Sequence, residues 1–177
     1  MDRNVVLYIA SSLDGFIARK NGDIDWLPNE GDEDFGYKDF YKTIDTIVMG
    51  RTTYNQIINE LSPGAWVYKG KECYVATTKE YQEDKNVTFF SKGISGLINK
   101  LKNEQGKDIW LVGGGKLIDQ FIKQNLIDKY IITIIPTVLG EGVPLFLKEN
   151  PEIKLNLINA KTYDDVVELK YKRHLLD

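Results

Sequence analysis

The chain has 177 residues, 42% of them apolar, and a formal net charge of −3 spread over interspersed signs. That fits one globular domain, residues 1–177, with a real core, and excludes a disordered chain. No basic stripe with interleaved aromatics suggests nucleic acid, and no signal segment or membrane-length apolar run is present, so the expectation is a cytoplasmic protein with neither nucleic-acid nor membrane partners.

Residues 4–10 read as a short apolar strand. Residues 11–31 carry two glycine turns, Asp14-Gly15 and Asn21-Gly22, plus Pro28, and read as a long loop with brief extended pieces. Residues 32–42 read as a helix with Asp32 as N-cap and an aromatic face. A strand is expected at 45–49 and a helix at 51–60, stopped by Ser62-Pro63-Gly64. Strands follow at 72–77 and 87–90. Ile94, Leu97, Ile98 and Leu101 recur at helical spacing over 93–103. Next come a strand at 108–112, a helix at 115–123 and an isoleucine-rich run, Tyr130 to Pro136, of central-strand type. After a glycine-proline loop at 140–144, residues 154–162 and 166–175 alternate around Tyr163-Asp164-Asp165 as a long antiparallel hairpin. The order predicts an α/β fold: a mostly parallel sheet, helices on both faces, and an antiparallel edge. The lone Cys73 lies in an apolar strand and reads as a small core residue. The lone His174 has no partners at ligand spacing, so no metal site is expected.

Three strands end in residues suited to anions. Ile109 to Val112 runs into Gly113-Gly114-Gly115-Lys116 and then an amphipathic helix. Three glycines let a ligand touch the backbone beside the positive end of the helix dipole. Ile47-Val48-Met49 leads into Gly50-Arg51-Thr52-Thr53, and Tyr74-Val75-Ala76 into Thr77-Thr78-Lys79. Taken singly, the triple-glycine motif is also a plain strand-to-helix turn. Ligands of open α/β sheets gather at the carboxyl ends of strands, and one extended, multiply phosphorylated ligand accounts for all three.

Four ordered motifs carry a family resemblance: Ser12-Leu13-Asp14-Gly15-Phe16-Ile17-Ala18 followed by Asp25-Trp26-Leu27; Val48-Met49-Gly50-Arg51-Thr52-Thr53-Tyr54; Val112-Gly113-Gly114-Gly115; and Pro136-Thr137-Val138-Leu139-Gly140-Glu141-Gly142-Val143-Pro144-Leu145-Phe146. Together they resemble the dihydrofolate reductase-like proteins, and within them the reductase domain of the bifunctional deaminase-reductase of riboflavin biosynthesis. The resemblance implies a three-layer dihydrofolate reductase-like fold and NADPH lying across the strand ends. It implies a pyrophosphate on Gly113, Gly114, Gly115 and Lys116, flanked by Val112 and Leu117. Gly50, Arg51, Thr52 and Thr53 would lie beside the phosphates, Thr77, Thr78 and Lys79 near the adenosine 2′-phosphate, and Ala10, Ile17 and Ala18 against the nicotinamide. Charge-assisted contacts from Arg51 and Lys79 would favour NADPH over NADH.

At the substrate end the resemblance implies contacts from Asp14, Trp26 and Thr133. Counting back from Val48-Met49-Gly50-Arg51 places Asp34 where a first-helix carboxylate assists protonation; facing the pocket and partly buried, it would carry a raised pKa. The alternatives are an acidic first helical turn for Asp34, a turn residue for Asp14 and a buried strand threonine for Thr133. A phosphorylated substrate would find only Arg19, Lys20 and Lys38 nearby. The expected activity is hydride transfer from NADPH to a small heterocyclic or carbonyl substrate. The alternatives are an NADPH-binding protein without turnover and a structural partner domain. A homodimer is expected by analogy, using the loop Gly140 to Phe146 and the hairpin, with Phe146, Tyr163 and Tyr171 as its apolar surface.

Overall fold

The computed structural model of the protein describes residues 3–28, 34–81 and 83–174. In chain order they form β1 (Val5–Ser12), β2 (Phe16–Ala18), α1 (Tyr37–Thr43), β3 (Ile44–Gly50), α2 (Arg51–Gln56), β4 (Glu72–Ala76), β5 (Thr88–Phe90), α3 (Ile94–Asn103), β6 (Asp108–Gly113), α4 (Gly115–Lys123), β7 (Lys129–Ile135), β8 (Val143–Pro144), β9 (Leu155–Tyr163) and β10 (Val166–Arg173). Eight strands make one sheet in the order β5-β4-β3-β6-β1-β7-β10-β9. Every pair from β5 to β7 is parallel, and β10 and β9 add antiparallel to that edge. The α/β reading and the terminal hairpin therefore hold, as does the parallel pairing of β3 with β6.

Strands buried on both faces read as unbroken apolar runs because each pleat needs cover. On β1, Val5 and Leu7 face a core built with Ile98 and Leu101 of α3 and with Leu117, Ile118, Phe121 and Ile122 of α4. Val6 and Tyr8 face the opposite core, with Phe40 of α1, Tyr54 of α2 and Ile57. Cys73 is buried in that second core, and burial pushes its thiol up to about 12. His174 pairs its Nδ1 with the Asn156 side-chain amide. Among the described residues no helix is long and apolar enough to cross a membrane.

Three local expectations change. The first helix begins at Tyr37, behind two consecutive left-handed residues, Phe35 (φ 47°) and Gly36 (φ 84°). A helix cannot run through them. Its expected N-cap, Asp32, lies outside the described residues. The second helix is α-helical only to Gln56 and then widens into a π-helical turn at Ile57–Leu61. The glycine-proline loop gains a two-residue strand, β8, which pairs with β2.

The starts of the strands are stitched by charged groups. The buried Arg3 donates to Asp45, to Thr46 Oγ1 (2.5 Å) and to the Leu101 and Lys107 carbonyls (3.1 and 2.7 Å). Asp128 takes the Val5 amide at 2.8 Å and the Arg173 guanidinium at 3.3 Å, and its carbonyl accepts the Arg173 amide. The opposite edge, where the parallel strands end, holds the candidate site.

Candidate active site

β4, β3, β6 and β1 are adjacent and parallel, so Ala76, Gly50, Gly113 and Ala10 come to one edge. They border a cleft of about 1000 Å³. The cofactor residues expected from sequence all line it: Gly50, Arg51, Thr52 and Thr53 after β3; Thr77, Thr78 and Lys79 after β4; Val112, Gly113, Gly114, Gly115, Lys116 and Leu117 across the β6–α4 turn; and Ala10, Ile17 and Ala18 from β1 and β2.

The three glycines of the turn have three different reasons. Gly113 has φ 132°, which L-residues rarely adopt. A Cβ on Gly115 would stand 3.3 Å from Val143 Cγ1 and 3.4 Å from the Pro144 carbonyl, close enough that β8 would have to shift slightly. Gly114 has neither constraint: its φ is −20°, and a Cβ would meet only Thr53 Oγ1, at 3.5 Å. Its bareness matters only on the cleft side. The Gly114 amide donates to Thr53 Oγ1 at 3.2 Å, which fixes the β3–α2 and β6–α4 turns to each other.

Arg51, which follows Gly50, also lines the cleft. Its guanidinium sits over the Phe89 ring at 5.2 Å and the Tyr54 ring at 5.8 Å, and Nε donates to Asn55 at 3.0 Å. Nη1 is buried and has no hydrogen-bond partner. A buried donor without an acceptor is costly, and an anionic oxygen in the cleft would satisfy it. Behind β4, Thr77 Oγ1 accepts the Lys79 amide at 3.2 Å, which sets the turn that presents Thr78 and Lys79 to the cleft.

None of the substrate candidates is among the residues that line the cleft. Thr133 is buried on β7, opposite Ala10 of β1 and Glu168 of β10. Trp26 is buried against Ile135, Tyr163 and Val166, with its indole N–H unpartnered. Asp14 is exposed and does not line the cleft. Its carboxylate accepts from Ser12 Oγ (2.6 Å) and the Leu139 and Gly140 amides (3.1 and 2.7 Å), tying the β1–β2 turn to the 137–140 loop. The Ser12 hydroxyl, then those amides, hold its carboxyl below the usual carboxylate range. Asp34 departs from the expectation of partial burial: it is exposed, stands outside the cleft lining, and accepts the Gly36 and Lys38 amides at 3.1 and 3.3 Å. The left-handed turn at 35–36 starts α1 too late to carry Asp34 inward. Arg19 and Lys20 are engaged by Asp25 and Glu141 at 2.6 and 2.5 Å on exposed surface.

The family model for the RibD C-terminal domain matches residues 3–169. The chain belongs to that family. It is 46% identical to the uncharacterized protein YwjB of Bacillus subtilis (strain 168) over 175 residues, covering 98% of this chain and 99% of the relative. It is 38% identical to the uncharacterized protein YyaP of the same organism, covering 96% and 94%. Among solved structures, a Shewanella sp. PV-4 protein named for riboflavin biosynthesis superposes with a TM-score of 0.85 at 29% identity, covering 97% of this chain and 99% of that one. The diaminohydroxyphosphoribosylaminopyrimidine deaminase/5-amino-6-(5-phosphoribosylamino)uracil reductase of Thermotoga maritima superposes at 0.73 and 16% identity, over 98% of this chain and 57% of that one. The fold is thus of the dihydrofolate reductase type found in RibD reductase domains.

Within this RibD C-terminal domain, sequence reasoning missed two polar residues. Tyr8 lines the cleft between Phe40, stacked at 4.1 Å, and Trp110. Burial first, and then the charge of Glu168, hold its phenol above the ordinary range, so it stays protonated at neutral pH. Glu168 is 1% exposed. The signal for it was the hairpin alternation: Val166 and Glu168 share the inward face of β10 by the period of two.

Proposed function

We propose that this protein is an NADPH-dependent reductase acting on a small heterocyclic or carbonyl substrate, of the 5-amino-6-(5-phosphoribosylamino)uracil reductase or dihydrofolate reductase type. The observation that carries the reading is the meeting, in one cleft, of a glycine turn at a helix N-terminus and a buried, unpartnered guanidinium nitrogen. The residues present fit the cofactor. Gly114 and the first amides of α4 would take the pyrophosphate. Arg51 Nη1, the hydroxyls of Thr52 and Thr53, and Thr78 with Lys79 would take the remaining phosphate oxygens. Ala10, Ile17 and Ala18 form the apolar end. When bound, the nicotinamide supplies a hydride. The chain holds the two reactants in register and excludes water with β2 and β8. Membership of a reductase-domain family supports the activity class.

Titration with NADPH and NADH, followed by nicotinamide fluorescence, tests the reading. Saturable binding with preference for NADPH is expected, followed by oxidation in a screen of dihydrofolate, pterins and aminopyrimidine ribosides. Absence of saturable binding would end it. The second reading, NADPH binding without turnover, is favoured by the exposed Asp34, and predicts binding with no oxidation across the screen. We further propose a cytoplasmic, single-domain homodimer. Its surface is revised from the sequence expectation: Tyr163 is buried, while Phe146, Leu157 and Ile158 are exposed.

A further inference from the structure

The cleft is lined by more than the residues assigned to the cofactor. Tyr8, Tyr68 and Trp110 line it as well. Their rings form one continuous group: Trp110 meets Tyr8 at 6.1 Å and Tyr68 at 5.5 Å, both close to edge to face. All three pack in the core on the α1 and α2 side of the sheet. Ile57, of the same core, lines the cleft from the π-helical turn that follows α2, and so does Leu61. Four apart on that turn, the two are neighbours on one face. The turn is closed by the Ser62 amide on the Ile57 carbonyl at 2.8 Å. Such widened turns are rare and recur at functional sites. The loop after β2 adds Ile24 and Leu27 to the lining, and Gln56 Nε2 ties that loop to α2 through the Gly22 carbonyl at 3.1 Å.

The charged lining residues stand elsewhere. Among the described residues they are Arg51, Lys79, Glu80 and Lys116. The Arg51 guanidinium lies over Phe89 of β5, three strands from the β6 that carries Trp110, or about 14 Å at the usual strand spacing. Lys79 and Glu80 follow β4, two strands from β6 and three from the β1 that carries Tyr8. Lys116 belongs to α4, which packs on the other face of the sheet. Arg19, Lys20 and Lys38 do not line the cleft, and the first two are held by Asp25 and Glu141. Residues 1–2, 29–33, 82 and 175–177 include no lysine, arginine or histidine. Tyr8, protonated at neutral pH, adds a hydroxyl and no charge.

We propose that the aromatic part of the cleft takes an uncharged planar ring that carries no phosphate, and that such a molecule is the substrate. This narrows the reductase reading, and rests on it for calling the occupant a substrate. Tyrosine and tryptophan walls hold a flat ring by apolar burial and by offset or edge-to-face contact. A phosphate carried on that ring would leave water with no cation to meet it, which is costly. The phosphate-binding features of the cleft are all on the turns assigned to the cofactor, so a phosphorylated substrate would find them already taken.

Calorimetric titration with 1-naphthol and 1-naphthyl phosphate, probes that differ only by the phosphate, decides it. Both are run with NADPH present and again in concentrated inorganic phosphate, so that the anion-binding turns are filled whether or not the cofactor reading stands. Wild type should bind 1-naphthol saturably and 1-naphthyl phosphate at least tenfold more weakly. Tyr8→Leu, which removes one ring of the wall, should weaken 1-naphthol at least tenfold. Leu61→Lys should fold, since Leu61 is 53% exposed, and should raise the affinity for 1-naphthyl phosphate at least tenfold by supplying the missing cation. No saturable binding of 1-naphthol, equal wild-type affinity for the two probes, or unchanged 1-naphthol affinity in a cooperatively unfolding Tyr8→Leu would each overturn the proposal. Should Tyr8→Leu fail to fold, Leu61→Lys decides in its place: a gain for 1-naphthyl phosphate supports the assignment, and no gain overturns it. The cofactor reading fails or survives separately, on the NADPH titration alone.

Discussion

Arg51→Met separates a ligand-binding arginine from a structural one. In the folded protein the guanidinium makes one hydrogen bond, Nε to Asn55 at 3.0 Å, and lies over Phe89 and Tyr54 at 5.2 and 5.8 Å. A net hydrogen bond of this kind contributes about 1 kcal/mol, and a cation over an aromatic ring about 0.5–1 kcal/mol. Methionine keeps the apolar stem against the rings, which offsets part of that loss. Unfolding by urea should therefore show a change of about 1 kcal/mol or less. The buried Nη1, by contrast, has no hydrogen-bond partner among the described residues. Its bond to a phosphate oxygen would be charge-assisted, at about 1.5–3 kcal/mol. Removing it should raise the dissociation constant for NADPH by about 10- to 150-fold. Nicotinamide fluorescence measures this directly. NADPH affinity within twofold of wild type, in a variant that unfolds normally, would refute the reasoning. So would a stability loss of several kcal/mol, since that would make the arginine structural.

Gly114→Asp should fold, because a Cβ there meets only Thr53 Oγ1 at 3.5 Å, and should abolish NADPH binding by placing a carboxylate at the phosphate position; unchanged affinity would make the turn merely structural. Arg3→Met should destabilise the protein by about 3 kcal/mol in urea unfolding, because Asp45 and the Leu101 and Lys107 carbonyls lose their donor. That loss should leave NADPH affinity unchanged, since Arg3 lies at the opposite ends of the strands. Asp14 is held below its ordinary value of 3.8, first by the Ser12 hydroxyl and then by the Leu139 and Gly140 amides. With the folded value below the unfolded one, its tie is complete above the unfolded value and is lost as pH falls through the folded one. The Leu139 and Gly140 amide resonances should therefore titrate together below the usual carboxylate range, and titration at or above 3.8 would contradict the assignment.

The parallel strands were legible because each is buried on both faces and so reads as an unbroken apolar run. Ile109 to Val112 and Tyr130 to Ile135 are instances. The cofactor edge was legible because glycine and hydroxyl residues are conspicuous directly after such runs, and the strand order then brings them together. The substrate end was not. Asp34 was placed by counting along the chain, and the counting could not foresee two left-handed residues, Phe35 and Gly36, that delay α1. Glu168 escaped notice because an acidic residue in a terminal hairpin reads as surface. Its carboxylate lies beside Gly36, which is close to it only in three dimensions. Arg3 was likewise invisible: a basic residue two positions from the chain start gives no local sign that Asp45, Leu101 and Lys107 will surround it.

Asp128 grips Val5 with its side chain and Arg173 with both side chain and backbone. The first strand and the last are thereby moored to a single residue, at the edge of the sheet away from the cleft. A short glycine-rich bridge between residues 4 and 174 would span little distance and displace nothing at the cleft. The domain is therefore a natural host for circular permutation, with fresh ends opened at an exposed turn such as Asp164-Asp165.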